Sequence, residues 1–421
     1  MPFFQRFLYP NPDSSRYYGQ NLAAQTELSN LNDQTRLYEE HGAIFPTRSL
    51  EVPSGRRVAV VLLSFGEPRS ISEIESFLFH SRFAGRLSAI GKFIFKLRLR
   101  KEKQSWLLGL EAMGGGAAYA RIRRDLCFML DEYLNREERY PLKHTYKVYI
   151  SNSYGDPTHD KVVEQLQQDG IEHVVLLPMY PHFSQSTTGV VLAHFREAIE
   201  RAGAVFKIAL VHEYARHPQY VQALADRICE GISRFPKHIR QDVQLVFAAF
   251  GCTTANRSPH DPALILIKET IAALLEAKGI SNDWHIGCMS EILSGTKKVG
   301  LPGIKQVVTE LAGHAKQAVL VVPISFITER FEVSYFLDTV LRAYATEKEV
   351  SYYEVSYSPQ GNPLFLEALG DMVCRKISAP EKAKAAYRPD DWVLRQQNGA
   401  TIWIQSWAKH KTSAPSLRQT G

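Results

Sequence analysis

Residues 58–65 read VAVVLLSF, an unbroken run of β-branched and aliphatic side chains that Gly66 and Pro68 end. Such a run is typical of a parallel strand that is buried on both faces. Comparable runs predict strands at 146–151, 174–178, 207–211, 244–250 and 318–323. Helical patterns alternate with them, at 117–134, 160–168, 190–201, 220–233, 263–277 and 303–312. This alternation predicts an α/β fold with mainly parallel sheets.

The two halves of the chain repeat one pattern of helix, apolar strand and proline. At a constant offset of 145, four residues of the first half align without gaps on four of the second: Val162, Val163, Leu166 and Pro178 on Val307, Val308, Leu311 and Pro323. We therefore predict two similar α/β lobes, 57–215 and 216–380, preceded by an N-terminal arm, 1–56, and followed by a tail, 381–421. The alternative is chance similarity between α/β strands.

Length and composition exclude several classes of protein. The 421 residues allow two or three domains, and ordinary contents of glycine (26) and proline (21) argue against a disordered or fibrous chain. Five cysteines stand singly, without a CxxC pair, which argues against a metal ribbon or disulfide framework and indicates a reducing compartment. No apolar run approaches the ~18 residues of a membrane span, and the first residues do not resemble a signal peptide. We expect a cytoplasmic protein.

The net charge of +6 is concentrated in the segment 82–103. Eight cations and one acid lie there, and Ile90, Phe93, Ile94 and Leu97 follow a helical spacing. Such a basic amphipathic helix is typical of contact with an anionic membrane surface, whereas nucleic acid is not expected as a partner. The alternative is an ordinary solvated helix whose apolar stripe faces the core.

In such folds ligands bind at the carboxyl ends of the strands, so residues just after Phe65, Pro178, Phe250 and Pro323 are expected to line a cleft. The turn after Pro178 holds an imidazole and several hydroxyls that could receive an anionic group, or could simply cap the next helix. Its candidate binding residues are His182, Ser184, Thr187 and Thr188. The triple glycine 114–116 is more consistent with a plain turn than with a phosphate cradle.

Three charged residues follow Pro323, namely Glu329, Arg330 and Glu332. A carboxylate in a cleft can take protons or guide a cation. An arginine between two glutamates can equally form a salt-bridged structural cluster, so both interpretations stay open at this point.

Six segments together resemble the ferrochelatases, which insert Fe²⁺ into a porphyrin to make haem. They are VVLLSFGEP (60–68), EAMGGGAAY (111–119), VVLLPMYPHFSQSTTG (174–189), VFAAFG (246–251), PISFITERFEVSYFLD (323–338) and QGNPLFLEAL (360–369). Their order and spacing match that family over about 57–380. The resemblance implies two Rossmann-like lobes, a porphyrin cleft between them and a hydrophobic lip near the membrane, at about 75–110.

The chain departs from this family at its catalytic positions. Phe250 stands where the family's F-S-A-H-S-L-P strand supplies a histidine, and Arg330 replaces the histidine of the D-H-I-E-T motif, whose glutamate is retained as Glu332. Phe65 stands where some members place an iron-contacting tyrosine or methionine. Gln185 stands at a cysteine position that some members use for an iron–sulfur cluster, so no cluster is expected and no bound cofactor is implied.

A phenyl ring cannot accept a proton, and a guanidinium repels Fe²⁺. We therefore expect a protein that binds a tetrapyrrole, either porphyrin or haem, and has lost most or all metal insertion. Its expected ligand contacts are Phe65, His182, Ser184, Thr187, Thr188, Phe250 and Arg330, with Arg330 available to pair with a propionate. The alternative is an active ferrochelatase in which Glu332 binds Fe²⁺, with His182 or His260 as a substitute base. The sequence does not indicate a protein partner.

Overall fold

The computed structural model of the protein describes residues 45, 49–82, 100–112, 117–136, 144–250, 262–289, 302–378, 392–397 and 400–405. The strands are β1 (Leu50–Glu51), β2 (Arg57–Ser64), β3 (Thr145–Asn152), β4 (His173–Pro178), β5 (Lys207–Leu210), β6 (Gln244–Ala249), β7 (Trp284–Cys288), β8 (Ala318–Val322), β9 (Tyr352–Val355), β10 (Ile377–Ser378), β11 (Trp392–Gln397) and β12 (Ala400–Gln405). The α-helices are α1 (Ile74–Arg82), α2 (Arg100–Ala112), α3 (Ala117–Leu134), α4 (His159–Gln168), α5 (Val190–Ala202), α6 (Pro218–Ser233), α7 (Pro262–Lys278), α8 (Ile304–Gly313), α9 (Arg342–Glu347) and α10 (Pro363–Arg375).

Two parallel four-stranded sheets organise these elements, in the orders β3-β2-β4-β5 and β7-β6-β8-β9. The two orders are the same when the strands of each sheet are counted along the chain, which confirms the predicted α/β class with two similar halves. In both sheets the order reverses beside the first strand, so each sheet opens a crevice at the carboxyl ends of its two central strands.

The six predicted strands form to within one residue at each end. Sequence patterns missed β7 and β9, the outer strands of the second sheet. Each is short and carries polar or half-exposed residues, so neither gives the continuous apolar run that marks a central parallel strand. The predicted helices also form, and α6 begins two residues early because Pro218 suits a first helical turn.

One apolar core joins the two sheets. Alternate residues of β2 point to opposite faces: Val58 and Val60 belong to this shared core, whereas Val61 packs on the outer side against α4 and α5. Leu245 and Phe247 of β6 reach the same shared core, together with residues from α3, α6, α7 and α10. The helical layer between the sheets thus fixes their relative position and that of the strand ends.

The segment that precedes the first sheet pairs with the segment that follows α10. β1 pairs in parallel with β10, and the Ser49 hydroxyl donates to the Arg375 carbonyl at 2.9 Å. Beyond the two main sheets, β11 and β12 form a separate antiparallel hairpin.

In the part of the chain that the structure describes, no helix is long and apolar enough to cross a membrane. The basic apolar spacing from Ile90 to Leu97 and the triple glycine lie outside the described residues. The flanking helices α1 and α2 are described, and they contact each other.

Candidate functional site

Loops that follow the carboxyl ends of the central strands meet in one place. The Phe65 N–H, after β2, donates to the Tyr180 hydroxyl, after β4, at 3.0 Å. Arg330, after β8, donates through Nη2 to the Gly66 carbonyl at 3.2 Å. The Phe250 N–H, after β6, donates to the Ser325 hydroxyl at 3.0 Å. The crevices of the two sheets therefore form one site.

Four buried charges lie at its centre, and we call Glu67, Arg123, Arg330 and Glu332 the charged quartet. Glu67 Oε1 lies 3.0 Å from Arg123 Nη1 and 2.9 Å from Arg330 Nε, and Arg330 Nε lies 3.3 Å from Glu332 Oε2. All four residues are less than a tenth exposed. Two carboxylates and two guanidinium groups balance, which is the condition under which buried charges are tolerated.

Burial and the neighbouring charges oppose each other in this quartet. Burial raises the pKa of Glu67, although Arg123 and Arg330 act in the opposite direction. Burial alone would lower the pKa of Arg330, but the adjacent Glu332 and Glu67 raise it above its usual value. Burial also raises the pKa of Tyr180, which lies beside Arg330, to about 12. Arg330 is therefore a permanent cation in this site.

Aromatic rings line the same site, and the Arg330 guanidinium lies 6.0 Å from the centre of the Phe326 ring. The half-buried Phe65 ring stacks on Tyr154 with centroids 6.1 Å apart and meets Tyr180 edge-on at 5.6 Å. Phe250 packs against Phe326 at 5.4 Å. Such rings present flat apolar surface, which suits an aromatic ligand better than a small polar one.

The charged side chains after β8 diverge. Glu332 begins a π-helical segment, Glu332–Leu341, and turns toward Arg330. Glu329 turns away and accepts a hydrogen bond from the Ser358 N–H at 2.7 Å. Burial raises the pKa of Glu329, although the Ser358 hydrogen bond acts to lower it. The sequence analysis offered a salt-bridged cluster of Arg330 with two glutamates as one interpretation. The structure shows such a contact for Glu332 but not for Glu329.

The turn after β4 is buried. The Ser184 carbonyl accepts from the Thr187 and Gly189 N–H groups, where a second π-helical segment, Gln185–Gly189, leads into α5. The Thr188 hydroxyl makes no hydrogen bond to any described residue and is wholly buried. Among the described residues, Thr188 thus presents a buried hydroxyl without a hydrogen-bond partner.

His182 does not stand free in the cleft. Its Nε2 lies 2.9 Å from the Thr270 hydroxyl of α7, and Thr270 donates to the Ala215 carbonyl at 2.7 Å. Burial lowers the pKa of His182 to about 3, so the ring stays neutral. In this position His182 joins the first sheet's turn to a helix of the second half. His260, the other substitute base considered, lies outside the described residues.

Sequence reasoning missed two members of the quartet. Glu67 follows a central strand directly, as the other site residues do, so its position could have revealed it. Arg123 lies within α3, and only the packing of that helix brings it to Glu67. Within the described part of the chain, no three His, Cys, Asp or Glu side chains cluster in a way that could hold a metal ion.

The family model and the relatives found by sequence agree on one family. The family model described as Ferrochelatase matches residues 57–377. The ferrochelatase of Geotalea daltonii is 28% identical over 322 residues, which cover 75% of this chain and 97% of that protein. The mitochondrial ferrochelatase of Gallus gallus is 26% identical over 337 residues, covering 77% and 81% of the two chains. Among solved structures, SirB from Bacillus subtilis with Fe³⁺ aligns with a TM-score of 0.44 and 12% identity, over 78% of this chain and 98% of that chain.

Proposed function

Because this chain belongs to the ferrochelatase family, we propose that it binds a tetrapyrrole of haem metabolism and that its ability to insert Fe²⁺ is lost or much weakened. The observation that carries the proposal is the contact of Arg330 with Glu332. The one retained catalytic carboxylate is paired with a permanent cation, and so it is not free to attract Fe²⁺ or to accept a pyrrole proton.

The other positions support the same proposal. Phe250 offers a ring where the family has a histidine, and His182 is bound to Thr270 and kept neutral by burial. A missing positioned base costs a factor of about 10²–10⁴ in rate. Phe65 and Phe250 present aromatic rings in the site, and these would receive the face of a macrocycle.

Arg330 has little room for a ligand group. The residue is 6% exposed, forms ion pairs with Glu67 and Glu332, and donates to the Gly66 carbonyl. A propionate would have to displace one of these partners. The macrocycle is therefore expected to lie on the rings rather than to be anchored by Arg330.

The test is to give purified protein Fe²⁺ with protoporphyrin, and separately with coproporphyrin, and to follow both porphyrin binding and haem formation. We expect a shifted porphyrin absorbance without metal insertion at a normal rate. Insertion at a normal rate that disappears in Glu332→Ala would establish the alternative, an active ferrochelatase that uses Glu332. No absorbance shift with either porphyrin would exclude a tetrapyrrole site.

For the segment 82–103 we propose contact with an anionic membrane surface, supported by its eight cations and one acid. Co-sedimentation with vesicles containing an anionic phospholipid should be strong at low salt and weak at high salt, because salt screens surface charge. Uncharged vesicles are the control. Binding that is equal to both kinds of vesicle and insensitive to salt would contradict the electrostatic contact.

A further inference from the structure

Two carboxylates from different halves of the chain converge on one nitrogen atom. Arg330 Nε lies 2.9 Å from Glu67 Oε1 and 3.3 Å from Glu332 Oε2. Glu67 follows β2 of the first sheet, whereas Glu332 follows β8 of the second. The Gly66 carbonyl oxygen, which accepts from Arg330 Nη2, adds a third oxygen on the same side. The guanidinium therefore lies among oxygen atoms that the fold brings together.

The Glu67 carboxylate is poorly satisfied by the cations beside it. Guanidinium nitrogens approach to 3.0 Å or less, yet neither of its oxygens accepts a well-aligned hydrogen bond. The residue is 3% exposed, so water does not supply the missing bonds freely. A buried carboxylate that has charge neighbours but lacks aligned donors is suited to a spherical cation, which has no directional requirement.

We propose that Glu67 and Glu332 form a two-carboxylate site for a hard divalent cation and that Arg330 fills this site as an internal cation. Carboxylate and carbonyl oxygens are the ligands that such ions prefer. This inference rests on the proposed function, the loss or weakening of Fe²⁺ insertion. The Arg330 guanidinium occupies the position that the metal ion would otherwise take. The proposal also gives Glu67 a role as a second ligand beside Glu332.

Two substitutions separate the effect of the quartet's net charge from the effect of a cation between Glu67 and Glu332. Arg330→Met and Arg123→Met each remove one positive charge from a neighbour of Glu67. Only Arg330→Met removes the cation that lies between Glu67 and Glu332, because Arg330 is the residue that contacts both. Arg123→Met is therefore a control matched in charge and in size.

The experiment uses Mn²⁺ alone as the probe, with calorimetric titration and thermal unfolding of the full chain. We expect no saturable binding by the wild type or by Arg123→Met. Arg330→Met should bind one Mn²⁺ and gain thermal stability from it, since a ligand that binds only the folded state stabilises that state. Arg330→Met/Glu67→Gln should bind about tenfold more weakly or not at all, because oxygen sites lose affinity with each charged ligand removed.

Arg330→Met without Mn²⁺ binding, or with binding that Glu67→Gln does not weaken, would overturn the proposal. If Arg330→Met does not fold, Arg330→Leu carries the same test, because leucine also removes the guanidinium and ends one atom short of the Nε position between Glu67 and Glu332. Titration of the wild type with protoporphyrin separates the two proposals. If the wild type binds porphyrin and the Arg330 variants bind no Mn²⁺, only the internal-cation proposal fails. If the Arg330 variants bind Mn²⁺ and the wild type binds no porphyrin, only the tetrapyrrole proposal fails.

Discussion

Arg330 meets Glu67 across the two halves of the molecule, with Nε 2.9 Å from Oε1. Because Glu67 follows the first sheet's opening strand and Arg330 follows a central strand of the second sheet, this contact joins the two crevices. Because Arg330 also contacts Glu332, the charge environment of Glu332 depends on Glu67, a residue far away in the sequence. Substitutions at the quartet should therefore affect both the chemistry of the site and the stability of the whole fold.

Placing histidine at the two positions that we propose to be degenerate should raise the rate of metal insertion. Phe250→His supplies a base at the strand end, and Arg330→His removes the cation that pairs with Glu332. We expect Fe²⁺ insertion into protoporphyrin to rise by at least about 10²-fold over the wild type in the double variant, since a positioned base contributes about 10²–10⁴. Stopped assays of haem formation measure this rise.

Phe250→Tyr is the control for that experiment, because it changes the ring without adding a base of suitable pKa. An equal gain in Phe250→Tyr, or no gain in a double variant that still binds porphyrin, would show that the missing histidines do not limit activity.

Loss of Glu67 should be strongly destabilising. Glu67→Gln leaves Arg123 buried without its carboxylate partner and leaves the quartet with an excess positive charge. We expect the free energy of unfolding to fall by about 3–5 kcal/mol, as for other broken buried ion pairs. Urea denaturation at neutral pH measures the loss.

Glu73→Gln is the matched control, because Glu73 pairs with Arg69 at the surface, at 3.0 Å. Exposed ion pairs contribute about 0–1 kcal/mol. Similar losses in the two variants would mean that the quartet does not stabilise the fold.

Buried histidines should make the protein acid-sensitive. Burial lowers the pKa of His182 to about 3, and it does the same for His159 and His212. Between pH 6.5 and pH 3 the unfolded chain binds protons at these sites and the folded chain does not, so stability falls as the pH falls. Each such histidine contributes a slope of up to about 1.4 kcal/mol per pH unit in that range.

His182→Gln keeps a hydrogen-bonding side chain beside Thr270 while removing the titration. We expect a shallower loss of stability between pH 6.5 and pH 5 than in the wild type, measured by urea denaturation at each pH. His238→Gln, which alters an exposed ring, is the comparison. A slope that is equally steep in His182→Gln would show that His182 does not contribute to the acid sensitivity.

The outer edge of β3 is covered by side chains of α3 and of the residue that follows it. Asn135 accepts from the Tyr146 N–H at 2.9 Å and donates to the Tyr146 carbonyl at 3.0 Å, and Asp131 accepts from the Val148 N–H at 2.8 Å. Asn135→Ala should lower the free energy of unfolding by about 1–3 kcal/mol, since it leaves backbone groups without partners. It should also increase self-association through the exposed edge.

Denaturation and light scattering measure these two effects. Glu132→Ala, at an exposed position of the same helix, should change neither. An Asn135→Ala protein that is as stable and as monodisperse as Glu132→Ala would mean that other contacts protect the edge.

The sequence alone determined the strands of the two crevices and the cleft positions beside Phe65 and Phe250. Central parallel strands are buried on both faces, so each leaves a continuous apolar run that can be recognised locally. It also predicts substitutions of family residues at Phe250 and Arg330, because each lies in a short motif whose register its neighbours fix. The outer strands β7 and β9 were not predicted because they are short and carry polar or half-exposed residues, so they leave no such run.

Only the tertiary structure decided which charges meet. Arg123 lies on a helix between the sheets, Glu67 on a loop of the first and Arg330 on a loop of the second, and no local pattern links them. The same is true of His182, whose neutrality follows from its burial against Thr270. Ion pairing and pKa depend on distance and solvent exclusion in space, whereas sequence patterns report only the periodic burial of each element.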